Sequence, residues 1–260
     1  MPTEFTTVDQ LPEDPLQMPP PYWRSSGVIF QITSTLEDLC NLLTALLEIH
    51  PRIENLLSEY FAKNPKPPEN DEEFEEFGDI SEPLWELESK IKLKCELAVF
   101  MASIESEDLI NRISVYNLHK DISESIERLS LPEKFLVVTT SLTGSTGKST
   151  RPYEAIKKLT TWRNTYAHGH CTDRPTKSLR HNHLISPNEY PSVPKEVQNM
   201  VSLLDGYLVL SRHLRSISRN DYTKGESTHD SEIEEYLSEV RRYKFSYKGN
   251  GEIYEVEYTS

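Results

Sequence analysis

The sequence predicts an all-α fold, a helical bundle with a short β-hairpin at its C-terminal end. Apolar residues recur at helical spacing along most of the chain, as is typical of amphipathic helices packed around a core. Near the end, two candidate strands flank Gly249-Asn250-Gly251, a combination that favours a hairpin turn. The 260 residues are 36% hydrophobic and 27% charged, which is enough for a core and excludes a disordered chain.

The N-terminal part is predicted to contain a lead-in, a long helix and a linker. Residues 1–27 are expected to be extended, because the proline run at 19–21 opposes helix formation. A helix is expected from about 35 to 62, where leucines recur three and four residues apart. The linker at 63–80 is Pro-rich and then acidic, and we interpret its acidic run as a solvated loop rather than a metal site.

The chain divides into the lead-in, a helical domain over 28–220 and a C-terminal appendage over 221–260. Residues 132–142 fit a helix or a strand equally well, and the Pro-containing stretch 171–194 is expected to be a long loop. Further helices are predicted at 81 to about 104, 106 to about 129, 152 to about 168, 194 to about 217 and 229 to 240, and strands at 242–248 and 252–259.

The composition also argues against several classes of protein. No stretch approaches the roughly 18 consecutive apolar residues of a membrane span, and the N-terminus lacks the pattern of a secretory signal. Cys40, Cys95 and Cys171 are odd in number and widely spaced, so no disulfide framework is expected. We therefore expect a cytoplasmic protein that has no membrane partner.

The charge is distributed unevenly along the chain. The net charge is -14, but residues 131–225 contain 14 basic and 7 acidic side chains, a net of +7, which leaves -21 for the remainder. A basic segment within an acidic protein can present a phosphate-binding face, although ordinary solvated charges also cluster by chance.

One short string resembles part of a phosphate-binding loop. A P-loop has the pattern Gly-x4-Gly-Lys-Ser/Thr after a strand, and Gly147-Lys148-Ser149 supplies its second half. Leu142 stands where the first glycine is required, so we favour a flexible linker here.

A second string offers potential metal ligands. His168, His170, Cys171, His181 and His183 could bind Zn²⁺, but they lack the paired spacing of zinc modules. We interpret this region as a polar loop and expect no metal site.

A third string, residues 162–169 (WRNTYAHG), lies near the end of a predicted basic helix. Arg163 offers a planar cation that fits a phosphate, and His168 titrates near neutrality. Five helical positions place these two side chains about 140° apart, so they would not converge within one helix. Asn164 shares a face with His168, and His170 is nearly in register with Arg163. A composite site would form if two copies met across a two-fold axis; the alternative is a structural helix-terminal Arg and His.

The string RNTYAHGH resembles the signature of the HEPN ribonuclease superfamily. That signature is Arg, usually followed by Asn, Asp or His, and then His after four to six intervening residues. Arg163, Asn164 and His168 match it with four intervening residues. The order of the predicted helices extends the resemblance over about 30–218, and it implies a HEPN-like helical bundle that forms a homodimer.

The resemblance also implies an activity, metal-independent cleavage of RNA without a cofactor. His168 would act as general base on a ribose 2′-hydroxyl or as acid for the leaving 5′-oxygen. Arg163 would hold the scissile phosphate, and Asn164 would orient the histidine or bind the phosphate. The products would carry a 2′,3′-cyclic phosphate. His170 and Tyr166 are accessory candidates.

The family is common in prokaryotic toxin–antitoxin and anti-phage systems, so the resemblance implies such a role, with a protein partner that inhibits or activates the enzyme. Two alternatives remain open from the sequence. One is a non-catalytic HEPN-like module that dimerises or binds RNA or a protein. The other is an unrelated helical interaction protein.

Overall fold

The computed structural model describes residues 20–66, 68–167, 192–221, 223–224, 227–248 and 253–259. It confirms the predicted all-α fold with a short C-terminal hairpin. The elements in chain order are α1 (Pro20–Lys63), α2 (Asp71–Asn117), α3 (Lys120–Ile126), α4 (Leu131–Thr143), α5 (Arg151–Ala167), α6 (Val193–Ile217), α7 (Thr228–Val240), β1 (Tyr243–Lys248) and β2 (Ile253–Tyr258).

The two longest helices, α1 and α2, form an antiparallel pair. Near their connection the Tyr60 hydroxyl donates to the backbone oxygen of Glu73 at 3.2 Å, and farther along Lys94 pairs with Asp38 at 2.6 Å. Helix α6 packs against α2, and α5 packs chiefly against α6. The apolar faces of these helices meet in one continuous core.

Helix α1 begins earlier than the sequence predicted. It starts at Pro20 rather than near residue 35, so the expected extended lead-in over 1–27 is wrong at its C-terminal end. Pro20 and Pro21 occupy the first turn, where backbone N–H groups have no helical partner and the fixed φ of proline suits the helix. Pro51 lies inside α1 without dividing it.

Helix α2 begins in the acidic half of the predicted linker. The Asn70 side chain accepts from the Glu73 backbone N–H at 2.9 Å and caps the helix, and the acidic side chains of the first turn favour the positive end of the helix dipole. The linker at 63–80 therefore shortens to 64–70, and the solvated-loop interpretation is wrong for 71–80.

Helix α2 also merges two helices that the sequence predicted separately, at 81–104 and 106–129. The boundary near residue 105 is absent, because Glu105 is paired and buried within a continuous helix. The continuous helix ends at Asn117 instead of near residue 129, and the short α3 follows.

Residues 131–143 are a helix, which resolves the ambiguity at 132–142. A capping box starts α4: Glu133 accepts from the Ser130 backbone N–H at 2.9 Å. Gly144 ends the helix in the left-handed region at φ 75°. The strand that a P-loop requires before its glycines is therefore replaced by a helix here.

A close approach between α5 and α6 fixes the position of the motif helix. Gly206 of α6 lies against Ala155 of α5, and a Cβ at 206 would stand 3.3 Å from the Ala155 Cβ. On the other side, the Ser103 hydroxyl of α2 contacts the Leu159 backbone oxygen at 3.4 Å. Helix α5 is therefore held between α6 and α2.

The hairpin packs on the α1–α2 pair rather than standing alone. Its antiparallel register places Phe245 opposite Val256. The Tyr254 hydroxyl donates to Glu88 at 2.5 Å, and Tyr243 shares a hydrogen bond of 2.8 Å with Thr44. Within the described ranges, no helix has the length and apolarity needed to cross a membrane.

Candidate functional site

The motif lies at the C-terminal end of α5, which ends at Ala167. Asn164 is exposed, whereas Arg163 is partly covered, with 28% of its side chain accessible. Trp162 is partly buried against the core. His168 and His170 lie outside the described residues, as does the side chain of Tyr166, so the predicted relation of Arg163 to His168 stays a prediction.

Arg163 is joined to a carboxylate that the sequence analysis did not single out. Its Nη1 donates to Oε2 of Glu107 on α2 at 2.6 Å. The second oxygen of Glu107, Oε1, lies 3.5 Å from Nζ of Lys134 on α4. Lys134 in turn donates to Oδ1 of Asn111 at 3.2 Å. We call these four residues the Arg163 cluster, and it joins α2, α4 and α5.

The electrostatics of the cluster favour an ionised Glu107. Burial raises the pKa of this carboxyl. The hydrogen bond and charge of Arg163, together with the nearby Lys134, lower the pKa by more than burial raises it, so the net shift is downward. With two cations and one carboxylate, the cluster carries a net charge of +1. Among the described residues the hydrogen-bond partner of Arg163 is Glu107, through Nη1, so the other guanidinium donors can face a phosphate beside an excess positive charge.

The sequence around Lys134 could have identified this residue as unusual, but it could not have identified its partners Glu107 and Asn111. The side chain is only 6% exposed and sits between Leu131 and Val138 on the apolar stripe of α4, where lysine is rarely buried unless paired. Glu107 and Asn111 gave no such signal, because their pairing with residues of α4 and α5 depends on how the helices pack.

The exposed surface of α5 is basic. Lys157 and Lys158 are exposed one turn before the motif, and Lys157 pairs with Glu154 and lies 5.5 Å from the ring centre of Tyr153. Arg151 is exposed at the start of the helix. These side chains lie six, five and twelve positions from Arg163 and project about 120° to 140° away from it, so they make α5 basic without forming one face with Arg163.

A second ionic network is buried on the opposite side of α2. Glu105, only 1% exposed, accepts from Arg112 at 2.5 Å. Between α6 and α7, Ser211 donates to Asp230 at 2.7 Å, and Arg215 lies 3.9 Å from the same carboxylate oxygen. Burial raises the pKa of Glu105 to about 7, although Arg112 opposes that shift. This network attaches α7 to the bundle.

No metal centre is formed by the part of the chain that the structure describes, where no three His, Cys, Asp or Glu side chains come together in a suitable group. The five histidine and cysteine candidates between 168 and 183 lie outside the described ranges. Of the remaining cysteines, Cys95 is buried and Cys40 is partly buried, both as free thiols.

Comparison with protein-family models, curated proteins and solved structures gives no significant match. The case for a function therefore depends on the motif and on the geometry of the Arg163 cluster.

Proposed function

We propose that this chain is a metal-independent endoribonuclease of HEPN type, acting as a homodimer in the cytoplasm. Arg163 binds the scissile phosphate, His168 transfers the proton, and Asn164 orients the histidine or binds the phosphate. A 2′-hydroxyl attacks the adjacent phosphorus, the bond to the 5′-oxygen breaks, and a 2′,3′-cyclic phosphate remains. The resemblance of RNTYAHGH to the family signature supplies the chemistry.

The observation that carries the proposal is the arrangement of Arg163. Its guanidinium is oriented by Glu107, remains partly accessible, and lies in a cluster with a net positive charge. A phosphate placed on the guanidinium donors that Glu107 does not occupy would receive charge-assisted hydrogen bonds from a side chain that is already positioned, which lowers the cost of ordering. The basic side chains exposed elsewhere on α5 favour a polyanionic ligand such as RNA through general attraction of its phosphates.

The same contact also favours a second candidate, a non-catalytic HEPN-like module that dimerises or binds RNA or a protein. An arginine that is paired with a carboxylate at 2.6 Å already has a structural role in joining α5 to α2. In that case Arg163 would stabilise the fold and cleave nothing.

The deciding experiment is cleavage of purified RNA in EDTA by wild type, Arg163→Ala and His168→Ala. We expect wild type to leave 2′,3′-cyclic phosphate ends and both variants to lose activity by a factor on the order of 10² or more. RNA carrying a single 2′-deoxy nucleotide at the cleavage position should resist. Circular dichroism and light scattering must show that both variants keep the fold and the oligomeric state.

The outcomes separate the two candidates. Cleavage by wild type alone supports the enzyme. Binding of RNA without cleavage, equal in wild type and His168→Ala, supports the binding module and contradicts the enzyme.

By analogy with the family, we further propose a role in toxin–antitoxin or anti-phage defence, with a protein partner that restrains or triggers the activity. Induced expression in a bacterium should arrest growth and degrade RNA for wild type but not for His168→Ala.

A further inference from the structure

An aromatic surface lies at the end of the bundle where α1 leads into α2. The rings of Phe61 and Phe77 are 6.0 Å apart, and Phe77 is also 6.0 Å from Trp85. The ring of the buried Tyr60 lies 5.4 Å from the ring of Phe61 and 5.9 Å from the ring of Phe77. Phe74 lies one helical turn before Phe77. We call Phe61, Phe74, Phe77 and Trp85 the aromatic patch.

The patch is exposed although Phe77 contacts both Phe61 and Trp85. Phe61, Phe74 and Trp85 leave 45%, 58% and 53% of their surface accessible. Single exposed apolar side chains are ordinary, whereas a contiguous apolar patch with a polar rim marks an interaction site. Because Phe61, Phe77 and Trp85 already pack together, a ligand would meet a surface whose shape is partly formed in advance.

The rim of the patch is strongly acidic. Residues 69–82 contain eight acidic side chains and no basic one. The helix dipole accounts for the acidic residues of the first turn, 71–73, but Glu75 and Glu82 lie beyond its reach, and helix geometry projects both within about 100° of the Phe74 and Trp85 side chains. Both are exposed and form no ion pair with a described residue. Their charges are therefore not neutralised by the described part of the chain and can meet the cations of a partner.

The negative charge of the rim argues against most ligands that could otherwise bind an apolar patch. RNA and anionic membranes would be repelled by the carboxylates. A second copy that used the same surface would place its own acidic rim against this one, because a two-fold interface pairs each patch with itself.

We propose that the aromatic patch docks a basic amphipathic segment of a partner protein. Its apolar side chains would pack on Phe61, Phe74 and Trp85, and its Lys and Arg side chains would reach Glu75 and Glu82. A cation over the Trp85 ring would add a cation–π contribution. This docking is independent of the ribonuclease proposal, because the patch shares no residue with the Arg163 cluster.

The test uses the full chain and a synthetic helical peptide of Leu, Lys and Ala, in which Leu forms one face and Lys the other. Binding is followed by tryptophan fluorescence and by calorimetry. Trp85 is one of three tryptophans in the chain, so Trp85→Phe identifies its share of the fluorescence signal. We expect saturable binding with a change in the Trp85 emission, weakening as salt is added.

Matched variants locate the site. Phe74→Ala and the double variant Glu75→Gln/Glu82→Gln should each weaken binding about tenfold. Two controls should bind as wild type does. Leu93→Ala removes an apolar side chain of α2 that is 56% exposed elsewhere, and Glu232→Gln/Glu235→Gln removes two carboxylates from α7.

Peptide design supplies the remaining controls. A peptide with Glu in place of Lys should not bind, and one with Ser in place of Leu should bind at least about tenfold more weakly. The proposal is overturned if the Ser peptide binds as well as the Leu peptide, if Phe74→Ala binds unchanged, or if no binding occurs up to about 1 mM peptide. Tighter binding of the patch to RNA or to anionic vesicles would also overturn it.

Discussion

Glu107 of α2 accepts a 2.6 Å hydrogen bond from Arg163 of α5, across a sequence separation of 56 residues. This contact connects the C-terminal part of the longest helix with the residue that begins the proposed catalytic motif. It makes Arg163 both a tie between helices and a positioned cation, and these two roles predict different responses to substitution.

Arg163→Lys should separate the two roles. Lysine keeps the positive charge beside Glu107 but lacks the planar fork that binds a phosphate through two donors. We expect the variant to fold with a stability near that of wild type while kcat/KM for RNA falls by a factor on the order of 10². Single-turnover cleavage and urea unfolding measure the two effects. Lys158→Ala, which removes an exposed cation from the same helix, is the control for nonspecific loss of charge.

Glu107→Gln should destabilise the protein by about 1–2 kcal/mol, because the buried ammonium of Lys134 loses its counter-charge. The double variant Glu107→Gln/Lys134→Met should be less destabilised than the sum of the two single variants. Additive free energies of unfolding, measured with urea, would contradict a coupled pair.

The stabilisation from Glu107 should depend on pH. Its pKa is lowered on folding, so the contribution is present above the unfolded value near 4.5 and is lost as pH falls through the lower folded value. Wild type should therefore lose its advantage over Glu107→Gln below about pH 4.5. An equal difference in unfolding free energy at pH 7 and pH 3 would disprove this.

Glu105 should have the opposite pH dependence. Its pKa rises from 4.5 to about 7 on folding, so the folded state holds the proton more tightly, and stability falls as pH rises from 4.5 to 7. The loss over that window is on the order of 3 kcal/mol. The variant Glu105→Gln should lack this decrease in the free energy of unfolding between pH 4.5 and 7. Urea titrations of both proteins at pH 5, 6, 7 and 8 measure it, and parallel slopes would contradict the assignment.

Gly206 should tolerate a methyl group but not a branched side chain. In Gly206→Ala the Cβ would stand 3.3 Å from Ala155, a small overlap that the better helix propensity of alanine offsets. Gly206→Val should cost about 1–3 kcal/mol by pushing α5 away from α6. Thermal unfolding measures the cost, and Gly206→Val/Ala155→Gly should recover part of it.

The helices were largely predictable because each carries its own signal. The apolar spacing located α5, α6 and α7 within one or two residues, and Gly249-Asn250-Gly251 located the hairpin. The predicted helix boundaries were wrong where one local sequence feature is compatible with two structures. Prolines near residue 20 begin a helix instead of opposing it, and the acidic run after Asn70 serves as a first helical turn instead of a loop.

The candidate site was predictable only in part. Arg163 could be proposed from the sequence because a short motif contains it, and its role in a site stays a prediction. Glu107 could not be selected, because nothing in its neighbourhood distinguishes it from Glu105 two residues earlier. The two side chains leave α2 on opposite sides, and only the packed helices show that one meets Arg163 and the other Arg112.

The sequence by itself determined the all-α class, the C-terminal hairpin and the basic character of α5, because periodicity, turn residues and charge are local properties. Tertiary structure alone decided which carboxylate holds Arg163, which lysine is buried beside it, and which aromatic rings form one surface. These relations join residues that are tens of positions apart, and they arise only when the helices pack at fixed distances and rotations.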